Sequence, residues 1–189
     1  MSRAAFLDRD GVINRRAPEG QYVTRWEEMH VLPDADKAIA LLNRAGFRVI
    51  VVSNQRCVAK GLVTPREMES MHERMRAALA RAGATIDAVY YCPHEVQPPC
   101  ICRKPKPGLL LNASRMHDID LTASWMIGDS DSDVEAGRNA GCKTALLVNG
   151  DPTHTGNADI VAPSLLEAVH KILRWGMIGD RGGMRPGTN

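Results

Sequence analysis

Apolar residues in this chain come in short runs that stop abruptly at polar ones. AAFL (4–7) breaks off at Asp8 and predicts a buried strand feeding a loop. RVIVVSNQ (48–55) is β-branched and unbroken, as in a central parallel strand covered on both faces. DAVYYC (87–92), SWMIGD (124–129) and KTALLV (143–148) predict three further strands. Between them the apolar period changes to that of helices. Ile39, Leu42 and Ala45 share one face of 34–46, which Gly46 closes. Met68, Met71, Met75 and Leu79 form a stripe that begins behind Thr64, Pro65 and Glu67, an N-cap, first-turn proline and capping-box partner. At that spacing the methionines are core filler rather than metal ligands. Helices are also predicted over 108–116, 133–141 and 163–175.

Strands alternating with helices imply βαβ units and a doubly wound, mostly parallel α/β sheet. Residues 1–175 read as a single domain. The Gly-rich, aperiodic 176–189 reads as a flexible C-terminal tail. In such a sheet ligands sit beyond the carboxyl ends of the strands. The residues there are Asp8-Arg9-Asp10-Gly11, Ser53-Asn54-Gln55, Cys92-Pro93-His94 and Asp129 through Asp133, so the polar residues that break the pattern gather at one edge.

Composition narrows the partners. The 189 residues carry 24 Lys+Arg against 22 Asp+Glu, a net +2 with no basic block, and only 4% are aromatic. That leaves little for phosphate steering or base stacking, so no nucleic-acid partner is expected. No apolar run approaches the roughly 20 residues that span a bilayer, and no membrane partner is expected. The N-terminus lacks a signal-peptide core, so the expected location is the cytoplasm, where disulfides between the five cysteines would be out of place. A monomer is expected.

Asp8 and Asp10 next to Gly11 would on their own read as a turn as readily as a site. Asp129 and Asp133, also at a strand end, change the balance. Carboxylates converging at one edge repel unless a cation lies among them, and hard oxygens with room for water suit Mg²⁺. Ser53 offers a hydroxyl to an anion. Lys104, in a proline-stiffened CRKPKPG loop, is a natural phosphate partner. A nucleophile, a hydroxyl, a lysine and magnesium are the parts of a phosphoryl-transfer site.

Cys92, His94, Cys100 and Cys102 are spaced C-x-H-x₅-C-x-C. Three thiolates and an imidazole make a closed tetrahedral set, the preference of structural Zn²⁺, and leave no open position for catalysis. Pro98 and Pro99 narrow the loop's unfolded ensemble. The loop runs directly into Arg103 and Lys104.

In order along the chain, FLDRDGVIN (6–14), VVSNQ (51–55), CRKPKPG (102–108) and MIGDSDSDVEAG (126–137) resemble the haloacid dehalogenase superfamily of phosphatases, in its histidinol-phosphatase-like branch, over about residues 5–150. The resemblance implies a Rossmann-like haloacid dehalogenase fold with a zinc loop. No stretch between the motifs is long enough for a large cap domain. It implies that Asp8 is the nucleophile, that Asp10 is the general acid and base, and that Asp8, the Asp10 carbonyl and Asp129 hold Mg²⁺. Ser53 and Lys104 would bind the transferring phosphoryl group, and Asp133 would orient Lys104 or the metal's waters. Asn54, Gln55 and Arg103 match substrate-contacting positions, and the Cys/His loop would hold Zn²⁺. DRDGVIN (8–14), YVTRWEEM (22–29), AKGLVT (59–64), KPKPGLLL (104–111) and DIDLTASWMIGD (118–129) favour the members that take a small sugar bisphosphate in the supply of lipopolysaccharide or capsule precursors. The short His94–Cys100 spacer resembles the histidinol-phosphate phosphatases, which stay open as the alternative. A zinc-stabilised binding module without activity is the remoter one. Arg56 and Cys57 stand where the family usually has a small residue and glycine.

Overall fold

The computed structural model describes residues 1–149 and 157–179, with side chains described as far as 175. The AAFL run forms β1 (Ala4–Leu7), buried at every position. β2 (Arg48–Asn54), β3 (Ala88–Cys92), β4 (Trp125–Gly128), β5 (Lys143–Leu147) and β6 (Ile160–Ala162) complete one sheet in the order β3-β2-β1-β4-β5-β6. All five pairings are parallel. The strand order therefore reverses at β1, between β2 and β4, which is where a doubly wound sheet opens a crevice beyond its carboxyl ends.

Helices cover both faces because every inner strand is apolar on both. Ala5, Leu7, Val49 and Val51 face one core with α1 (Ala35–Arg44), α3 (Pro65–Arg81) and α6 (Leu165–Gly179). Ala4, Phe6, Ile50 and Val52 face the other with α4 (Gly108–His117) and α5 (Asp131–Ala140). This alternation is the period of two expected of a strand. Phe6 is fully buried, and burial of such a side chain contributes roughly 1.5–3 kcal/mol. The capping box before α3 forms as predicted: Thr64 Oγ1 accepts from the Glu67 amide at 3.2 Å, and Glu67 Oε2 accepts from the Thr64 amide at 2.8 Å.

The structure adds elements too short to announce themselves by period. They are β6, the 3₁₀ turn Trp26–Glu28, and the four-residue α2 (Arg56–Ala59) immediately after β2. The last helix does not stop at Trp175 but continues to Gly179, so the expected tail begins as helix; residues 180–189 lie outside the described residues. Among the described residues no further domain is inserted between the strands. No described helix is long and apolar enough to cross a membrane.

Register sets the site. Leu7 pairs with Val51 on one side and Ile127 on the other, so Asp8, Ser53 and Asp129 emerge within a residue of one level. Cys92 ends β3 opposite Asn54.

Candidate active site

Asp8 continues β1 by one bond, its amide donating to the Ile127 carbonyl at 3.0 Å. Its Oδ1 accepts from the Arg9 amide at 2.7 Å and lies 3.0 Å from Lys104 Nζ. Among the described residues nothing is hydrogen-bonded to Oδ2, which leaves that oxygen available. Lys104 is 3% exposed. Its ammonium also lies 2.6 Å from Asp133 Oδ1 and donates to the Val52 carbonyl at 2.8 Å. Burial works against this charge, but Asp133 and Asp8 outweigh it and hold the lysine above its ordinary value. Burial pushes the Asp8 carboxyl up against the pull of Lys104, with Asp133 and Asp10 adding to the rise.

Asp10 is enclosed by donors. Arg9 Nη2 lies 2.9 Å from Oδ2, and Arg9 Nε (3.2 Å) and Asn14 Nδ2 (2.9 Å) reach Oδ1. Gln55 Nε2 donates to Oδ2 at 3.0 Å and to Ser53 Oγ at 2.9 Å. Burial alone would raise this carboxyl; Arg9, Asn14 and Gln55 outweigh it and hold it below the usual range. Arg9 is fully buried, and its Nη1 lies 3.2 Å from His72 Nε2 and 3.3 Å from the Met68 sulfur. As an arginine is always a donor, His72 must accept here. Burial, then Arg9, drives its pKa down to about 3, and it stays neutral.

Arg9, Asn14 and His72 were not singled out from the sequence. His72 had a visible signal: it lies four residues after Met68 and three before Met75, a lone histidine on α3's buried stripe. Asn54 and Gln55 sit differently from simple substrate contacts. Asn54 uses both ends of its amide on the Lys104 backbone, at 3.1 Å each way, because the loop after Cys102 returns against the end of β2. Gln55 is 2% exposed.

Asp8, Asp129 and Asp133 bring carboxylate oxygens within 4.8 Å of one another. Two glycines make the room. Gly11 has φ +86°, and a Cβ there would overlap Asp129 Oδ2. At Gly128 a Cβ would overlap the Asp133 side chain. Asp133 serves as the third helical residue of α5, its Oδ2 accepting from the Ser130 amide at 3.2 Å and hydroxyl at 2.6 Å. Burial, opposed by Arg16 and reinforced by Asp8 and Asp133, pushes Asp129 up to about 7. Carboxylate oxygens clustered this closely fit a hard divalent cation, whose ~2.1 Å bonds draw such oxygens together.

Cys92, His94, Cys100 and Cys102 also converge within 4.8 Å. The Cys92–Cys100 and Cys100–Cys102 sulfurs are 3.6 and 3.5 Å apart, and His94 Nδ1 lies 3.6 and 3.2 Å from those of Cys92 and Cys102. A tetrahedral ion with ~2.3 Å bonds to sulfur needs edges of ~3.8 Å, so the four atoms fit zinc with slight expansion. Burial raises Cys102 to about 12, whereas hydrogen bonds from Cys102, Arg103 and Cys92 overcome burial and bring Cys100 down to about 6. Arg103 follows the loop, with Nη1 3.4 Å from the His94 carbonyl.

Residues 101–168 match the HAD-hydrolase-like family model. The chain is 38% identical over 156 residues to a D-glycero-beta-D-manno-heptose-1,7-bisphosphate 7-phosphatase of Pseudomonas aeruginosa, covering 82% of this chain and 86% of that relative. It is 34% identical over 169 residues to one of the same name from Helicobacter pylori, covering 89% and 95%. The crystal structure of D,D-heptose 1,7-bisphosphate phosphatase from B. bronchiseptica, complexed with magnesium and phosphate, matches with a TM-score of 0.83 and 33% identity. That match covers 92% of this chain and 99% of the other. With relatives this similar along most of both chains, the protein belongs to the haloacid dehalogenase-like hydrolases, in the group formed by the heptose-1,7-bisphosphate 7-phosphatases.

Proposed function

We propose that the protein removes the 7-phosphate of D-glycero-D-manno-heptose 1,7-bisphosphate, leaving the 1-phosphate. The observation that carries this reading is the free Oδ2 of Asp8 beside the buried Lys104 and Asp129, in a chain whose relatives bear that name. Asp8 Oδ2 attacks phosphorus as the bond to the C7 oxygen breaks, giving an aspartyl-phosphate. Asp10, ionised in the free protein by its Arg9 pair, takes the proton of the phosphate monoanion and passes it to the departing oxygen. It then accepts a proton from the water that hydrolyses the acyl phosphate. Ser53 and Lys104 bind the phosphoryl oxygens, and Asp133 keeps Lys104 in place. Asn54 and Gln55 border the substrate while fixing Lys104 and Asp10. Arg103 presents a planar fork to the 1-phosphate or the sugar hydroxyls. Asp8, the Asp10 carbonyl and Asp129 would hold Mg²⁺, which neutralises charge on the phosphoryl group.

Cys92, His94, Cys100 and Cys102 would hold a structural Zn²⁺ that sets the path into Arg103 and Lys104. All these groups sit on one domain. A cytosolic setting suits five cysteines of which none is in a disulfide.

The test is phosphate release from each anomer of the heptose bisphosphate and from histidinol phosphate, with and without Mg²⁺. Magnesium-dependent turnover, greater on the heptose substrate and abolished in a folded Asp8→Asn, is expected. A higher kcat/KM on histidinol phosphate would transfer the protein to the other activity. Retained turnover in Asp8→Asn would remove the nucleophile.

A further inference from the structure

Arg16 Nη2 lies 2.5 Å from Asp129 Oδ1, and the two side chains differ sharply in setting: Asp129 is 7% exposed and Arg16 55%. An arm from the solvent side has closed over a buried carboxylate. Of the three carboxylates that cluster here, Asp8 and Asp133 share the Lys104 ammonium, while the only cation in contact with Asp129 among the described residues is Arg16. The arm also has somewhere to go. A cavity of about 590 Å³ opens beside Asp129, walled by Val12, Leu32, Pro33 and Leu165 with Arg15 and Arg16.

An oxygen that accepts from a guanidinium is a poorer ligand for a divalent cation, because the two charges repel across it. A magnesium ion sits ~2.1 Å from a ligand oxygen, and an arginine nitrogen at hydrogen-bonding distance from that oxygen would face it with like charge. We infer that Arg16 competes with the divalent cation for Asp129: it neutralises the carboxylate cluster while the metal is away and gives way toward the cavity as the metal binds. Arginine stays charged at every working pH, so the competition does not depend on its titration. The metal's apparent affinity is its intrinsic affinity reduced by the fraction of molecules in which Arg16 holds Asp129. This use of Arg16 rests on the magnesium phosphatase reading for the identity of the cation.

Calorimetric titration of the metal-free, full-length protein with Mg²⁺, without substrate, tests it. Arg16→Gln should bind Mg²⁺ on the order of tenfold more tightly than the wild type, the size of an ordinary coupling between sites. Arg15→Gln removes the same charge from the same cavity wall but no contact with Asp129, and should change affinity by less than about twofold. The melting temperature in chelator should fall in Arg16→Gln, and its rise on adding Mg²⁺ should exceed that of the wild type. Unchanged affinity in Arg16→Gln, or equal gains in both variants, overturns the competition while leaving the phosphatase reading standing. Failure of Mg²⁺ to bind any of the three proteins overturns both.

Discussion

Lys104 Nζ lies 3.0 Å from Asp8 Oδ1, and this contact uses one of three ammonium donors whose other partners are Asp133 Oδ1 and the Val52 carbonyl. The lysine therefore has no spare donor while Asp8 is a carboxylate. Once Asp8 is phosphorylated its carboxylate charge is gone, and the ammonium can turn from Oδ1 to a phosphoryl oxygen without losing its other two contacts. Lys104→Met should lower kcat at least 10²–10³-fold, as for loss of a preorganised charge-stabilising donor. It should also destabilise the fold by about 3–5 kcal/mol, because Asp8 and Asp133 then face each other unpaired. Steady-state kinetics and urea unfolding check the two effects separately.

His72 makes a prediction about acid. Its folded pKa of about 3 lies below the unfolded value of 6.5. Between those values the unfolded chain binds a proton that the folded chain refuses, so stability falls as pH falls, by about 1.4 kcal/mol per unit for one proton. His72→Gln still offers an acceptor to Arg9 and does not titrate. From pH 6.5 to 5.0 the wild type should lose about 2 kcal/mol more than this variant. Urea unfolding at the two pH values measures it; parallel losses would show that His72 is not held neutral.

What could be read beforehand follows from the range of each interaction. Asp8, Ser53 and Asp129 were legible because each ends an apolar run, and parallel strands of one sheet end at one edge. The Cys/His quartet was legible because its four members lie within eleven residues. Arg9 was not, since a buried guanidinium between two acidic residues looks like any loop cation until the chain turns it inward beneath α3. Arg16 and Asp129 are 113 residues apart and share no pattern. β6 has three residues, too few for a period, and only Ile160 and Ala162 are buried. Asn54 was placed at the right edge, but its partner is Lys104's backbone, and only tertiary structure decides that.

If the Cys/His loop holds zinc as proposed, removing it should separate folding from activity. Chelation should leave the far-ultraviolet circular dichroism of the sheet and helices intact, since only Cys92 of the four ligands belongs to a strand. It should raise KM and lower kcat together, because Arg103 and Lys104 follow Cys102 directly. Unchanged kinetics after zinc loss, verified by atomic absorption, would leave the loop without influence on the site.

Arg56 carries a prediction about a masked charge. Its Nε lies 2.5 Å from Glu95 Oε2, which ties the turn after β2 to the cysteine loop. Glu95→Gln unmasks the arginine and should lower KM for the bisphosphate but not for a monophosphate ester. Arg56→Gln should lower neither. The first effect should fade at high salt, as it does for exposed charges. KM measured for both substrates in both variants decides it.

The two-way bond between the Asn54 amide and the Lys104 backbone has a consequence for how this protein can change. It lets a side chain stand in for a strand neighbour, so the exit of the cysteine loop is docked to β2 as well as held by the path before it. Residues between His94 and Cys100 can then be inserted, deleted or exchanged without carrying the ammonium away from Asp8. The length of the loop and the position of the Lys104 ammonium beside Asp8 become separately adjustable.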